Sequence, residues 1–169
     1  MLRPFLATFA ALAAIAFHAP AMAQDGLTDA EVSGAIEQLG LEGERTQVGG
    51  VSQWKATVTS TEGQPYEFYI QPNLCDAATE RCKVFYLYAN FAPGSTVDDA
   101  LVRRAIAYNE RNLFGRVFVR DDVIGIDYTV AVDGNADADY FRRRLADFPT
   151  IMANFITMMR TGAAAPAAR

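Results

Sequence analysis

The chain has 169 residues, with 20 acidic and 15 basic side chains, a formal net charge of −5 and a single histidine, His18. An acidic balance with scattered arginines argues against a general nucleic-acid binder, whose affinity rests on Lys and Arg neutralising phosphates. With its one histidine in the apolar N-terminal stretch, the chain offers no Ser-His-Asp or Cys-His set and no histidine-based zinc site, which disfavours a hydrolase or metalloenzyme.

The N-terminus reads as a secretory signal peptide over residues 1–23. Arg3 is the positive n-region, FLATFAALAAIAF (5–17) the apolar run, and Ala21-Met22-Ala23 the cleavage site. The run is too short to cross ~30 Å of hydrocarbon, so no stable membrane anchor is expected. No cysteine stands at the cleavage site to take a lipid. The mature chain then starts at Gln24 in the periplasm or outside the cell. Losing Arg3 takes its net charge from −5 to −6. One domain is expected over 24–160, with 161–169 (TGAAAPAAR) a disordered tail.

Leu27-Thr28-Asp29-Ala30-Glu31-Val32 contains a full helix start. Thr28 is the N-cap, Glu31 completes a capping box, and Leu27 and Val32 are placed for a hydrophobic staple. Val32, Ile36 and Leu39 form the stripe, Gly40 stops it, and the helix is predicted over 29–39. Gly49-Gly50 turns the chain between ERTQV and SQWKATVTST. YEFYIQ (66–71) and KVFYLYANF (83–91) alternate as strands do. Pro93-Gly94 then breaks the sheet. Ser95 or Thr96 is the expected cap of a second helix, with Val97, Leu101, Ala105 and Tyr108 on its apolar face and Asn109 and Asn112 at its end. FGRVFVRDDVIGIDYTVAV (114–132) reads as a hairpin turning at Asp121-Asp122. A last helix follows, with Tyr140 or Phe141, then Leu145, Phe148, Met152, Phe155 and Met159 in its stripe and a kink or break expected at Pro149.

Cys75 and Cys82 are the only cysteines. Their C-x6-C spacing is not a C-x-x-C redox motif, and two thiolates without histidine do not make a zinc site. In an exported protein a structural disulfide is expected, tying the facing ends of two strands across their connecting loop.

Other candidates have plainer readings. Asp133, Asn135, Asp137 and Asp139 alternate like calcium ligands, but Ala138 stands where an EF-hand loop needs Gly and Arg144 where it needs Glu. A turn and a helix cap are expected instead, with no metal and no cofactor. Asp121, Asp122 and Asp127 fit a turn better than a catalytic cluster. Arg142-Arg143-Arg144 spread over most of a helical turn and fit a solvated face. The Met-bearing stripe fits core packing, with an adaptable protein-binding surface as the alternative.

The segment from Ala107 to Val119, AYNERNLFGRVFV, resembles the signature stretch of the YbjN family, in which a helix ends in an aromatic-Asn pair and an F-G/A-R-aromatic strand follows. DDVIGIDYTVAVDG matches the continuation. CDAATERC followed by KVFYLYANF is similar to exported, cysteine-bearing members. The resemblance covers about residues 28–158. One departure is Ile106, where a second Asn would be expected. The resemblance implies a fold like that of type III secretion chaperones and a role in sensory transduction regulation.

The expected class is therefore α+β, an antiparallel sheet with flanking helices in the order α-β(3–4)-α-β2-α. The expected function is a non-enzymatic protein- or peptide-binding module, chaperone-like or regulatory, with a homodimer as one form of the assembly. Its candidate binding residues are Tyr108, Asn109, Phe114, Gly115 and Arg116. The alternative is a small-ligand carrier or sensor with a pocket between helix and sheet, for which Trp54, Tyr66, Tyr86 and Tyr108 are candidate lining residues. An enzyme stands last.

Overall fold

The computed structural model describes residues 25–59, 63–92, 97–120, 123–134 and 136–161. The expected signal peptide, the caps at Ser95 and Thr96, the Asp121-Asp122 turn and Asn135 lie outside the described residues. The elements are α1 (Asp29–Gln38), β1 (Glu42–Val48), β2 (Val51–Thr59), β3 (Pro65–Asp76), β4 (Arg81–Phe91), α2 (Asp99–Arg111), β5 (Arg116–Arg120), β6 (Val123–Ala131) and α3 (Ala138–Thr161). The order is thus α-β4-α-β2-α. The six strands form one sheet in the order β1-β2-β3-β4-β6-β5, every neighbouring pair antiparallel.

Strand alternation divides the sheet into a helix face and an open face. Trp54, Ala56, Phe68, Ile70, Phe85, Leu87, Ala89, Ile126 and Val130 are buried on the helix face. On the other side, Lys55 bridges Glu44 and Glu67 on the two flanking strands. Helix α3 lies over the first face and sets three aromatic rings against β3 and β4. Phe141 meets Phe85 at 4.8 Å, Phe148 meets Phe68 at 5.3 Å, and Phe155 meets Phe91 at 5.3 Å between ring centroids. Each such side chain stabilises the fold by about 1.5–3 kcal/mol through burial.

That packing explains why α3 runs unbroken through Pro149. Proline removes one helical hydrogen bond, which favours the break the sequence predicts. Leu145, Phe148, Ile151 and Met152 are all buried around it, so the core holds both halves of the helix in line. The stripe also takes in Ile151 and Met158, while Met159 is only partly buried. The helix reaches Thr161, the first residue of the expected tail. Asp137 caps its start, accepting from the Tyr140 N–H at 2.8 Å.

Helix α1 follows its sequence signals. The Thr28–Glu31 capping box is formed, and Leu27 and Val32 are buried. Helix α2 departs from expectation at its start. Its N-cap is Asp98, whose carboxylate accepts from the Leu101 N–H at 2.7 Å. Asp caps as well as Ser or Thr, and its position two residues later shortens the helix.

Cys75 and Cys82 are joined, and they are directly opposed residues of the β3–β4 ladder. The cysteines sit at the facing ends of the two strands, as expected, although both strands run further than the alternating stretches 66–71 and 83–91. Only residues 77–80 turn the chain. Asp76 organises that turn by accepting from the backbone N–H groups of Ala78 and Thr79 and from the Thr79 hydroxyl.

Candidate functional site

The residues singled out by the sequence converge on one corner, where α2 ends and the chain turns through 112–115 into β5. They do not share one role there. Tyr108 is 1 % exposed, with its ring edge-on to Phe155 and its hydroxyl towards the Ile151 carbonyl. It is a core residue. Burial pushes its phenol up to about 12. A neutral phenol is thus favoured by the fold, while the unfolded chain ionises near 10. Stability from this group is full below pH 10 and is lost as pH rises towards 12. Titration at the tyrosinate absorbance should show one phenol ionising together with alkaline unfolding, and Tyr108→Phe should remove that step.

Asn109 does not cap the helix; Asn112 holds the C-cap position and its side chain donates to the Tyr108 carbonyl. Asn109 reaches across to β5 instead. Its amide nitrogen donates to the Val117 carbonyl at 2.9 Å, and its amide oxygen accepts from the Val117 N–H at 2.7 Å. This two-bond grip occupies backbone groups of β5 as a neighbouring strand would. Asn109→Ala should cost about 1–2 kcal/mol in chemical denaturation, two hydrogen bonds at roughly a kcal/mol each. Asn109→Asp should cost nearly as much, since a carboxylate keeps the acceptor and loses the donor.

Gly115 is backbone geometry. Its φ is +78°, and a Cβ there would stand 2.4 Å from Cγ2 of Ile151. Arg116 pairs with Asp127 at 3.1 Å, across the β5–β6 ladder. Asp127 is buried, so the guanidinium neutralises a carboxylate that the sheet has taken out of water.

Phe114 stays outside the core. It is 53 % exposed, with its ring edge-on to Tyr128. Beside it stands Leu113, 95 % exposed. Sequence reading missed Leu113. Its signal was there, an apolar residue between the Asn112 cap and Gly115 that fits neither the helical stripe nor the strand alternation.

Two grooves flank this pair. One, of about 430 Å³, includes Arg111, Leu113, Phe114, Arg144 and Asp147 in its walls. The other, of about 470 Å³, opens beside Asn112, Leu113, Gly115, Arg116 and Thr129. Arg144 pairs with Asp147, whereas Arg111 has no acidic partner among the described residues. The corner thus presents two apolar side chains and an unneutralised guanidinium.

The four aromatics predicted to line a small-molecule pocket do not meet. Trp54 is buried under α1, donating to the Ser33 hydroxyl, and Tyr108 is in the core. Tyr86 pairs with Gln71 and Thr129 on the open face. Tyr66 lines a groove of about 400 Å³ with Phe91, Leu101, Ile124, Met159 and Arg104, whereas Tyr108 and Tyr86 each border one of the two corner grooves. Among the described residues no three or more His, Cys, Asp or Glu are grouped to hold a metal ion, and no helix is long and apolar enough to cross a membrane.

No curated protein matches the chain. A family model does, that of YbjN, described as "putative bacterial sensory transduction regulator", over residues 28–161. The match begins at the Thr28 cap and ends with the last residue of α3, so it takes in the whole sheet and all three helices, the α2–β5 corner included. By that match the chain belongs to the YbjN family.

Proposed function

We propose that this protein is a non-enzymatic protein-binding module of the bacterial envelope, chaperone-like or regulatory, working after residues 1–23 are removed. The observation that carries the reading is the pair Leu113 and Phe114, 95 % and 53 % exposed at the corner between α2 and β5, beside two grooves. Large apolar side chains held out by well-packed structure mark interaction surfaces more often than scattered exposure does. The partner is a protein or peptide, and a second copy of the chain is one form it could take.

The test is cross-linking in intact cells with the tagged mature protein, followed by mass spectrometry. One reproducible protein partner is expected, lost in Phe114→Ala while the melting temperature is kept. Mature protein beginning at Gln24 in the periplasmic fraction is expected as well.

A second reading, an envelope small-ligand carrier, draws on the groove beside Tyr66. Its walls combine Phe91, Leu101, Ile124 and Met159 with the guanidinium of Arg104, a pattern suited to an apolar molecule with an anionic end. A bound small molecule in the native mass spectrum, with no protein partner, would favour this reading and overturn the first.

A further inference from the structure

Strand β5 is shorter than the strand it pairs with. The β5–β6 ladder runs from Arg120↔Val123 to Arg116↔Asp127, and there the chain turns away through Gly115. β6 continues to Ala131, paired on its other side with β4. The direction of each backbone group on β6 follows from the register. The Val132 N–H donates to the Lys83 carbonyl at 2.7 Å, so even-numbered residues of β6 turn their backbone groups to β4 and odd-numbered ones turn theirs to the β5 side. On β5, Asn109 takes both groups of Val117, which leaves Arg116, Phe118 and Arg120 bonded to Asp127, Gly125 and Val123. The next odd residues of β6 are Thr129 and Ala131. Both are exposed, and neither has a strand beside it on that side among the described residues.

The sheet's outer edges are guarded. β1 carries Glu42, Glu44 and Arg45, charges that discourage strand addition. On β5, Asn109 takes the outward groups of Val117, and Arg116 and Arg120 put charge at the two ends of the short strand. The step at Thr129–Ala131 has neither device, and Thr129 lines the groove that Leu113 borders.

We propose that a partner polypeptide adds here as a short extended strand, in line with β5, hydrogen-bonding Thr129 and Ala131 of β6. Its apolar residue packs on Leu113 and Phe114, and an acidic side chain pairs with Arg111. The inference rests on the protein-binding reading above and names how the partner is held. Backbone pairing supplies affinity, and the apolar and cationic groups beside the edge select the sequence.

The probe is a blocked hexapeptide of alternating valine and threonine ending in glutamate, titrated into isotope-labelled mature protein. In the free protein the Thr129 and Ala131 amides should exchange rapidly with solvent. With peptide they should shift and become at least tenfold protected. N-methylation of alternate peptide amides should weaken binding at least tenfold. Thr129→Pro should do the same at unchanged melting temperature, because the lost N–H does not belong to the β4 ladder. Arg111→Glu should weaken binding about fivefold and favour a peptide ending in lysine. Unmoved Thr129 and Ala131 amides at millimolar peptide would overturn the proposal, as would equal binding of the N-methylated peptide. Protection of Thr129 in a peptide-free dimer would overturn it too, giving the edge to a second copy. A cellular partner lost in Phe114→Ala but leaving Thr129 unprotected would remove strand addition and keep the binding module.

Discussion

Gly115→Ala should destabilise the protein by about 2–4 kcal/mol, a large share of the roughly 5–15 kcal/mol that holds a domain folded. Two costs combine. The residue has φ +78°, where a Cβ costs roughly 1–2 kcal/mol. The added methyl would also stand 2.4 Å from Ile151 and 3.2 Å from Cδ1 of Ile126. Ile151 belongs to α3 and Ile126 to the middle of β6, so the clash pushes the last helix off the sheet. Overpacking of this kind costs about 1–3 kcal/mol. Gly40 provides the control. Its φ is +67°, and nothing lies within 4 Å of its Cβ position, so Gly40→Ala should show the backbone cost alone. The denaturation midpoints of the two variants then separate strain from clash. Equal midpoints would mean that α3 yields freely at the corner, and the corner could not hold Leu113 and Phe114 rigidly outward.

This bears on how the family's signature stretch is read. Tyr108, Asn109, Gly115 and Arg116 stand close together, yet each is held by a structural task. Those tasks are a buried ring, a grip on Val117, a left-handed turn and a counter-ion for Asp127. Loss of a partner in any of these variants would report damage to the scaffold as readily as loss of a contact. Leu113 and Phe114 are the positions where truncation tests contact.

The legible parts of the fold were those whose cause is local. Thr28 and Glu31 define the start of α1 because both halves of a capping box lie within four residues. The second helix was harder, since Ser95, Thr96 and Asp98 are all good caps and only tertiary context selects Asp98. The hairpin of β5 and β6 is local too, but which of its strands docks on β4 is decided at long range. A clue was present. VIGI supplies three buried residues in a row, Ile124, Gly125 and Ile126, whereas RVFVR is bounded by arginines, as befits a central and an edge strand respectively. The step at Thr129 has no sequence signal at all. It arises from the difference in length between two paired strands, a property of register alone.

Removing the disulfide, by Cys75→Ala with Cys82→Ala or by reduction, should cost about 2.5 kcal/mol, the chain entropy of a closed eight-residue loop. The damage should not stay in the hairpin. Cys82 is 6 % exposed, and its backbone exchanges two hydrogen bonds with Leu27, at 2.9 and 2.8 Å. Its neighbour Arg81 holds the Gly26 carbonyl at 2.7 Å and the Glu31 carboxylate at 3.1 Å. Gly26 in turn lies so close to the Cys82 backbone that a Cβ would meet the Cys82 carbonyl oxygen at 2.7 Å. The covalent link therefore braces the strand end on which Gly26, Leu27 and the start of α1 are seated. Amide exchange at Leu27 and in the first turn of α1 should quicken on reduction by more than that of β2, although β2 is covalently no more distant. Equal quickening everywhere would mean that the link acts only through the unfolded chain. Preferential loosening would mean that α1 is fully seated only where the cysteines are oxidised.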